Sequence, residues 1–158
     1  LFSVDTNDYS ENFNDSNWKF IQSRDDNFNY INKIIPEKVD AILIDTIHKA
    51  DHVEKILYKY YPKLNKDGLI IIDDISWLYY IPNAERDNFF MEINNRETFF
   101  KIIEIFNANM KNINLEFNFA HSGVCKILKK NDLQLNKSHK IRSREYSIKN
   151  ILKKIINK

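Results

Sequence analysis

The sequence has few of the residues that build crosslinked or membrane-spanning proteins. Its single cysteine, Cys125, excludes an internal disulfide framework, so a reducing, cytoplasmic compartment is the expected location. No apolar run approaches the roughly 18 residues that span a bilayer, and no signal-peptide pattern opens the chain. Cys125 lies in the apolar run GVCKIL, which predicts a buried small residue rather than a nucleophile.

Glycine is equally scarce. Gly68 and Gly123 are the only two, so no glycine-rich loop lies before residue 68. The 158 residues are the size of one domain, and an apolar fraction of 43% is sufficient for one hydrophobic core.

The charge is unevenly distributed along the chain. Residues 131–158 carry eight Lys or Arg and two acids, a net charge of +6. Because the whole chain carries +2, the first 130 residues carry −4. This contrast divides the chain into an acidic body, residues 1–130, and a basic tail, residues 131–158.

Short apolar runs alternate with helical patterns. The runs LFSVD, WKFIQS, DAILID and GLIIID read as strands, and uninterrupted apolar runs suit parallel strands that are covered on both faces. Between the last two, apolar residues at helical spacing predict a helix that Pro62 ends and a turn at residues 65–68. Residues 40–73 are therefore predicted to form a β-α-β unit.

The remaining elements follow from the same patterns. A helix is predicted over residues 97–109, with Phe99, Ile102, Ile103 and Phe106 on one face. Two apolar runs, residues 113–119 and 123–129, flank a turn at residues 121–123 and predict an antiparallel hairpin. The tail places Ile and Leu at helical spacing opposite lysines, which predicts an amphipathic helix.

Each predicted parallel strand ends in acid. The side chains are Asp5, Asp25 with Asp26, Asp45, and Asp73 with Asp74. An aspartate at a strand end often caps the next helix, and Asp25 or Asp26 could do so. Ligands of open α/β sheets bind outside the carboxyl ends of the strands, so four acidic strand ends together predict a functional edge.

The segment VDAILIDTIHKADHVEKILYKYYPKLNKDGLIIIDDISW resembles the core of class I S-adenosylmethionine-dependent methyltransferases, closest to O-methyltransferases of the catechol and macrocin type. That family has an apolar strand ending D-x-x-H, an amphipathic helix, P-x-L-x-x-G-G, and a strand ending D-D or D-N. Here Asp67-Gly68 stands where the family has two glycines. The resemblance implies an α/β fold with a Rossmann-like, mostly parallel sheet that a C-terminal antiparallel hairpin closes.

The resemblance also implies roles for the acids. Asp5 matches the acid that accepts hydrogen bonds from the cofactor ribose, and Asp25, with Asp26 beside it, matches the acid near adenine. Asp45 also belongs to the cofactor side and is a catalytic candidate. Asp45, Asp73 and Asp74 match the positions that hold a divalent cation in metal-dependent members, and such an oxygen set suits Mg²⁺.

His48 matches the general-base histidine of the sugar-modifying branch, and imidazole suits proton transfer near neutral pH. The alternative is an exposed residue at the start of a helix. His52, within the helix, is expected to be solvated. The aromatic residues after Asp74 read equally as a lid over the acceptor or as ordinary loop packing; they are Trp77, Tyr79, Tyr80, Phe89 and Phe90.

The family's first strand and its glycine-rich loop have no match in the sequence. That strand lies at the centre of the family sheet, so we expect the chain to be the carboxyl-terminal part of a longer protein and to bind S-adenosylmethionine weakly when alone. The expected partner is a small-molecule or glycan acceptor and not nucleic acid. The tail could dock on the body, self-associate or contact a membrane. Alternatives are a non-catalytic Rossmann-like binding module and a metal-dependent glycosyltransferase-type domain.

Overall fold

The structure, a computed structural model, describes residues 1–12, 14–76, 89–144 and 147–156, without the side chains of residues 89 and 90. Within these residues the strands are β1 (Phe2–Asp5), β2 (Lys19–Gln22), β3 (Val39–Ile44), β4 (Leu64–Ile72), β5 (Ile113–Asn118) and β6 (Val124–Lys129). The α-helices of the same residues are α1 (Phe28–Ile31), α2 (Ala50–Tyr60), α3 (Phe89–Asn109) and α4 (Ile148–Ile156).

The strands form two separate sheets. In the first, β1 and β2 pair in parallel. The second has the order β3-β4-β6-β5, in which β3 and β4 are parallel and the hairpin strands β5 and β6 are antiparallel. The predicted α/β arrangement and the terminal hairpin are confirmed. The prediction of a mostly parallel sheet is not, because only two of the four strand pairs are parallel.

Strand β3 departs from the predicted burial on both faces. It is an edge strand of the four-stranded sheet in the described structure, and Leu43 within it is 66% exposed. Ile44, at its carboxyl end, is buried. The apolar run therefore forms an edge strand of the described sheet. On its outer side, a further strand could pair with its backbone N–H and C=O groups.

Strand β4 begins four residues earlier than predicted because residues 65–68 form a bulge and not a turn. The pairing passes from Val39 with Leu64 directly to Ala41 with Leu69. Asp67 takes a φ of 64°, and a Cβ on Gly68 would lie 2.8 Å from the Asn65 carbonyl oxygen. The bulge keeps the hydrophobic side chains of the following residues in register with β3.

The core lies between the four-stranded sheet and helices α2 and α3. The predicted α2 face is confirmed, because Val53, Ile56, Leu57 and Tyr60 are all buried. Helix α3 is longer than predicted, and its most buried apolar residues are Ile102 and Ile105. Cys125 is fully buried, as predicted, and desolvation raises the pKa of its thiol. A buried thiol of raised pKa is unsuited to act as a nucleophile.

The first part of the tail packs on the body. Tyr58 of α2 donates a hydrogen bond to the Asn136 carbonyl at 2.7 Å, and the Asn136 amide donates to Asn109 Oδ1 at 2.7 Å. Further along, the Ile141 amide donates to Glu104 of α3 at 3.2 Å. Residues 131–141 therefore connect the body to α4, the amphipathic helix that the tail pattern predicts. No described helix is both long enough and apolar enough to cross a membrane.

Substitutions in the β5–β6 turn test whether Gly123 is required for the turn to pack against Ser76. Gly123 has a φ of 80°, and a Cβ there would lie 2.8 Å from the backbone nitrogen of Ser76. We expect Gly123→Ala to lower the free energy of unfolding by about 1–3 kcal/mol, measured by urea denaturation. His121, exposed with a φ of 55°, is the matched control. His121→Gly should change stability by less than about 1 kcal/mol, because relieved strain offsets added chain entropy. Equal losses in the two variants would contradict this account.

Candidate active site

A cleft lies between the two sheets, at the carboxyl ends of β1, β2 and β3. Its volume is about 210 Å³. Its walls are residues 4–6, residues 23–25 and residues 45–47. Pockets for drug-sized ligands usually measure about 300–1,000 Å³, so the cleft is large enough for only part of such a molecule. The predicted residues Asp5, Asp25 and Asp45 all line it.

Asp5 is partly exposed at the end of β1. Its Oδ1 accepts a hydrogen bond from the Asn7 amide at 2.8 Å, and its carbonyl accepts one from the Ser23 amide at 2.8 Å. These two bonds fix the side chain and the end of β1 beside β2. A carboxylate has about four acceptor positions, so Asp5 retains capacity for a ligand hydroxyl.

Asp25 joins the two sheets. Its Oδ2 accepts a short hydrogen bond from the Thr46 hydroxyl, which follows β3, and lies 2.9 Å from His52 Nε2 on α2. His52 Nε2 also lies 3.1 Å from Thr46 Oγ1, and the Tyr60 hydroxyl donates to the Asp25 carbonyl at 2.9 Å. The prediction that His52 is solvated is wrong: its side chain is 13% exposed, because it turns inward to this carboxylate.

Asp26 points to a different set of partners. Arg24 Nε lies 3.0 Å from its Oδ1, and Lys55 Nζ lies 3.0 Å from its Oδ2. The hydrogen bonds from Arg24 and Lys55 lower the pKa of Asp26. Asp26 is not among the cleft-lining residues, so its predicted place on the cofactor side stays a prediction. Neither Asp25 nor Asp26 caps α1, whose N-cap residue is Asn27.

A second cluster lies at the ends of β3 and β4, where the sequence predicts that acids approach each other. His48, after β3, has its Nε2 3.1 Å from Asp74 Oδ2 and 3.9 Å from Asp45 Oδ1. The His48 side chain is 26% exposed, and that of Asp74 is 20% exposed. Asp74 follows β4 and has a φ of 56°, a conformation that costs about 1–2 kcal/mol for a residue with a Cβ.

The turn after β4 is held from the side by the β5–β6 hairpin. The Ser76 amide donates to the Ser122 carbonyl at 2.7 Å, and the Ile75 amide donates to the Gly123 carbonyl at 3.3 Å. From α3, the Asn95 amide group donates to the Ser76 carbonyl at 3.2 Å. These contacts fix the strained backbone that directs Asp74 to His48.

The three predicted metal ligands do not form a ligand set as placed. Asp73 Oδ1 accepts the Asp74 amide at 2.8 Å and the Ser122 hydroxyl at 3.2 Å, while Asp74 faces His48. Among the residues that the structure describes, no group of three or more His, Cys, Asp or Glu could hold a metal ion. The oxygen donors have the right chemistry for Mg²⁺, but their positions do not fit it.

Sequence reasoning missed Thr46 in the wall of the cleft and the contact that His52 makes with Asp25. Thr46 carries no charge and stands beside a more obvious aspartate, so no residue-type signal marks it. His52 lies on the predicted helix, two residues into its first turn, and only the position of β2 brings Asp25 to it. The predicted lid lies outside the described residues, because Trp77, Tyr79 and Tyr80 and the side chains of Phe89 and Phe90 are not among them.

Solved methyltransferases share the fold. MycE methyltransferase from the mycinamycin biosynthetic pathway, in complex with Mg and SAH, superposes with a TM-score of 0.60 at 18% identity and matches 83% of this chain. A putative caffeoyl-CoA O-methyltransferase from Staphylococcus aureus gives 0.53 at 16% identity over 76% of the chain. SAH-bound Podospora anserina methyltransferase PaMTH1 gives 0.56 at 15% identity over 72%.

The match covers only part of those proteins. The chain spans 36%, 55% and 50% of their respective lengths. No protein-family description matches the sequence, and no curated protein matches it significantly. At these identities the comparison shows that the chain shares the fold of these methyltransferases, which agrees with the fold that the resemblance implies.

The Asp25 network leads to a stability prediction. We expect His52→Ala to lower the free energy of unfolding by about 1–3 kcal/mol, because it removes one hydrogen-bond partner from each of the part-buried Asp25 and Thr46. Urea denaturation measures the change. His139→Ala, at an exposed tail position, is the matched control and should alter stability by less than about 0.5 kcal/mol. Equal effects of the two substitutions would show that the network does not connect the sheets.

Proposed function

We propose that the chain contributes to S-adenosylmethionine-dependent methyl transfer to a hydroxyl of a sugar or another small molecule. The observation that carries this proposal is the cleft, in which Asp5, Asp25 and Asp45 meet at the carboxyl ends of three strands. This is the edge at which open α/β sheets bind ligands. Two methyltransferases of the same fold were solved with SAH, the demethylated form of that cofactor.

In this proposal the cleft receives the nucleoside part of the cofactor. Asp5 accepts hydrogen bonds from the ribose hydroxyls at the carboxylate acceptor positions that the Asn7 amide does not use. Asp45, whose side chain is 64% exposed, forms the opposite wall. Asp25 positions Thr46 rather than binding adenine with both oxygens, because its Oδ2 is already shared between Thr46 and His52.

A further parallel strand between β1 and β3 completes the proposed cofactor site. The first sheet ends at β1 and the second at β3, and their carboxyl ends line the same cleft. The exposed side chain of Leu43 and the unpaired edge of β3 support this arrangement. The strand would bring backbone amides for the methionine part of the cofactor, which extends beyond the cleft volume.

The bound cofactor supplies an electrophilic methyl group on a sulfonium, so the protein has to position the acceptor hydroxyl and take its proton. His48 is the proposed general base. If Nε2–H donates to Asp74, the lone pair on Nδ1 accepts the proton of the acceptor hydroxyl. Asp74 then orients the ring, and the hairpin contacts that fix the turn after β4 keep Asp74 in place.

The proposed mechanism takes no step through a metal ion. Asp73 and Asp74 would have to leave their present partners to coordinate Mg²⁺ together with Asp45. Whether the reaction needs a metal ion is therefore tested by measuring turnover in excess chelator.

Cofactor binding is the first test. We expect the protein expressed from its complete gene to bind S-adenosylmethionine in calorimetric titration, and residues 1–158 alone to bind it much more weakly. Asp5→Asn in the complete protein should weaken binding about 10- to 100-fold, since it removes a charged hydrogen-bond acceptor. Asp8→Asn is the matched control, because Asp8 Oδ1 accepts the Ser10 amide within its own exposed loop.

Two results would contradict the proposal in different ways. Equal, tight binding by residues 1–158 would refute the additional strand but not the function. Absence of binding by the complete protein would refute methyl transfer and favour a non-catalytic binding module.

The base is tested by turnover. With any acceptor from a panel of catechols and sugars that supports formation of SAH, we expect His48→Gln to reduce kcat about 10²- to 10⁴-fold with little change in cofactor affinity. His139→Gln is the control. Excess chelator should leave the rate unchanged. A rate that falls with chelator and returns with Mg²⁺ would show that the three aspartates rearrange into a metal site, and the proposed role of Asp74 would then be wrong.

A further inference from the structure

Helix α4 presents an apolar stripe that the rest of the structure leaves exposed. Its residues recur at the spacing that places them on one helix face, and their exposed fractions run from 44% for Ile151 to 79% for Ile148; the others are Leu152, Ile155 and Ile156. The body of the described chain therefore does not bury this face. Five exposed branched residues on one short helix form a contact surface rather than scattered surface apolar residues.

The other side of α4 is basic. Lys149, Lys153 and Lys154 alternate with the apolar residues, and all three lie on the exposed surface. The tail as a whole carries +6, whereas residues 1–130 carry −4. An apolar face bordered by lysines fits a surface that has an apolar interior and a negative boundary.

The length of α4 bears on the choice of partner. Nine residues form a helix of roughly 13 Å. A coiled coil with a second copy needs about three to four heptads, which is several times this length. Isolated helices shorter than about 12–15 residues are also marginal in water, so a surface that buries the stripe would stabilise α4.

We propose that α4 binds the surface of anionic lipid membranes, with its isoleucine and leucine side chains in the acyl boundary and its lysines at the headgroups. The inference depends on α4 and the tail charge and is independent of the proposed methyl transfer. Residues 131–141, which are bonded to α2 and α3, hold the helix to the body. The acidic body would be repelled by the same lipids, so the tail alone makes the contact.

Vesicle flotation of the full chain tests this inference. We expect binding to vesicles of equal parts phosphatidylcholine and phosphatidylserine, and at least about tenfold weaker binding to phosphatidylcholine alone. Binding should fall as salt rises from about 0.1 M to about 1 M, where the Debye length shortens from about 10 Å to about 3 Å. Helix content, measured by circular dichroism, should rise with the anionic vesicles.

Paired substitutions separate the two contributions. Ile151→Gln with Ile155→Gln removes the centre of the stripe and should weaken binding at least about tenfold, as should neutralising Lys149, Lys153 and Lys154 with Gln. Leu133→Gln, at an apolar residue that is 64% exposed outside α4, is the matched control and should bind as the parent does. All changes are at exposed positions, so urea midpoints should stay the same.

Three results would overturn the inference. One is equal binding to the two vesicle types. Another is a loss of vesicle binding in the Leu133→Gln control as large as that in the α4 variants. The third is no vesicle binding together with a concentration-dependent dimer in sedimentation that the Ile151 and Ile155 changes abolish. That last result would assign the stripe to a second copy of the chain.

Discussion

Asp25 provides polar contacts between the two sheets, beside the apolar core to which both sheets contribute. Asp25 follows β2 in the first sheet, while its partners Thr46 and His52 follow β3 in the second. Among the described residues, β1 and β2 pair with no strand of the four-stranded sheet, so these polar contacts, the Lys55–Asp26 pair and buried Ile21 of β2 help to set where the first sheet lies. The cleft lies beside these contacts, because Asp25 and its partner Thr46 both line its wall.

The acids at the strand ends consequently divide by role. Asp25 and Asp26 already have side-chain partners within the protein, and those of Asp26 are the cations Arg24 and Lys55. Asp5 and Asp45 face the cleft with oxygen capacity to spare, and Asp74 faces His48. A carboxylate that already accepts strong hydrogen bonds gains less from a ligand than one that faces solvent. Asp5 is for this reason the more informative residue for cofactor recognition.

Both glycines lie where another backbone segment approaches closely. Gly68 closes the β4 bulge against the Asp40 carbonyl, and Gly123 allows the hairpin turn to contact Ser76. A Cβ at either position would lie less than 3 Å from backbone atoms of another residue, so both positions exclude a side chain. The hairpin in turn supports the strained Asp74 that contacts His48. The region after β4 thus depends on packing against a distant segment rather than on its own sequence.

The sequence by itself determined the elements and the edge at which they carry acid. Apolar runs of strand length and apolar residues at helical spacing predict β1 to β6, α2 and α4, because each element has to bury a face of fixed periodicity. The resemblance also implied that Asp45, Asp73 and Asp74 lie near one another; in the structure Asp45 and Asp74 both approach His48. Only the tertiary structure decided that Asp25 is shared with Thr46 and His52, that Asp73 turns to Ser122, and that β3 is left at a sheet edge. Those outcomes depend on distances between segments that lie far apart in the chain, and no local pattern of residues encodes such distances.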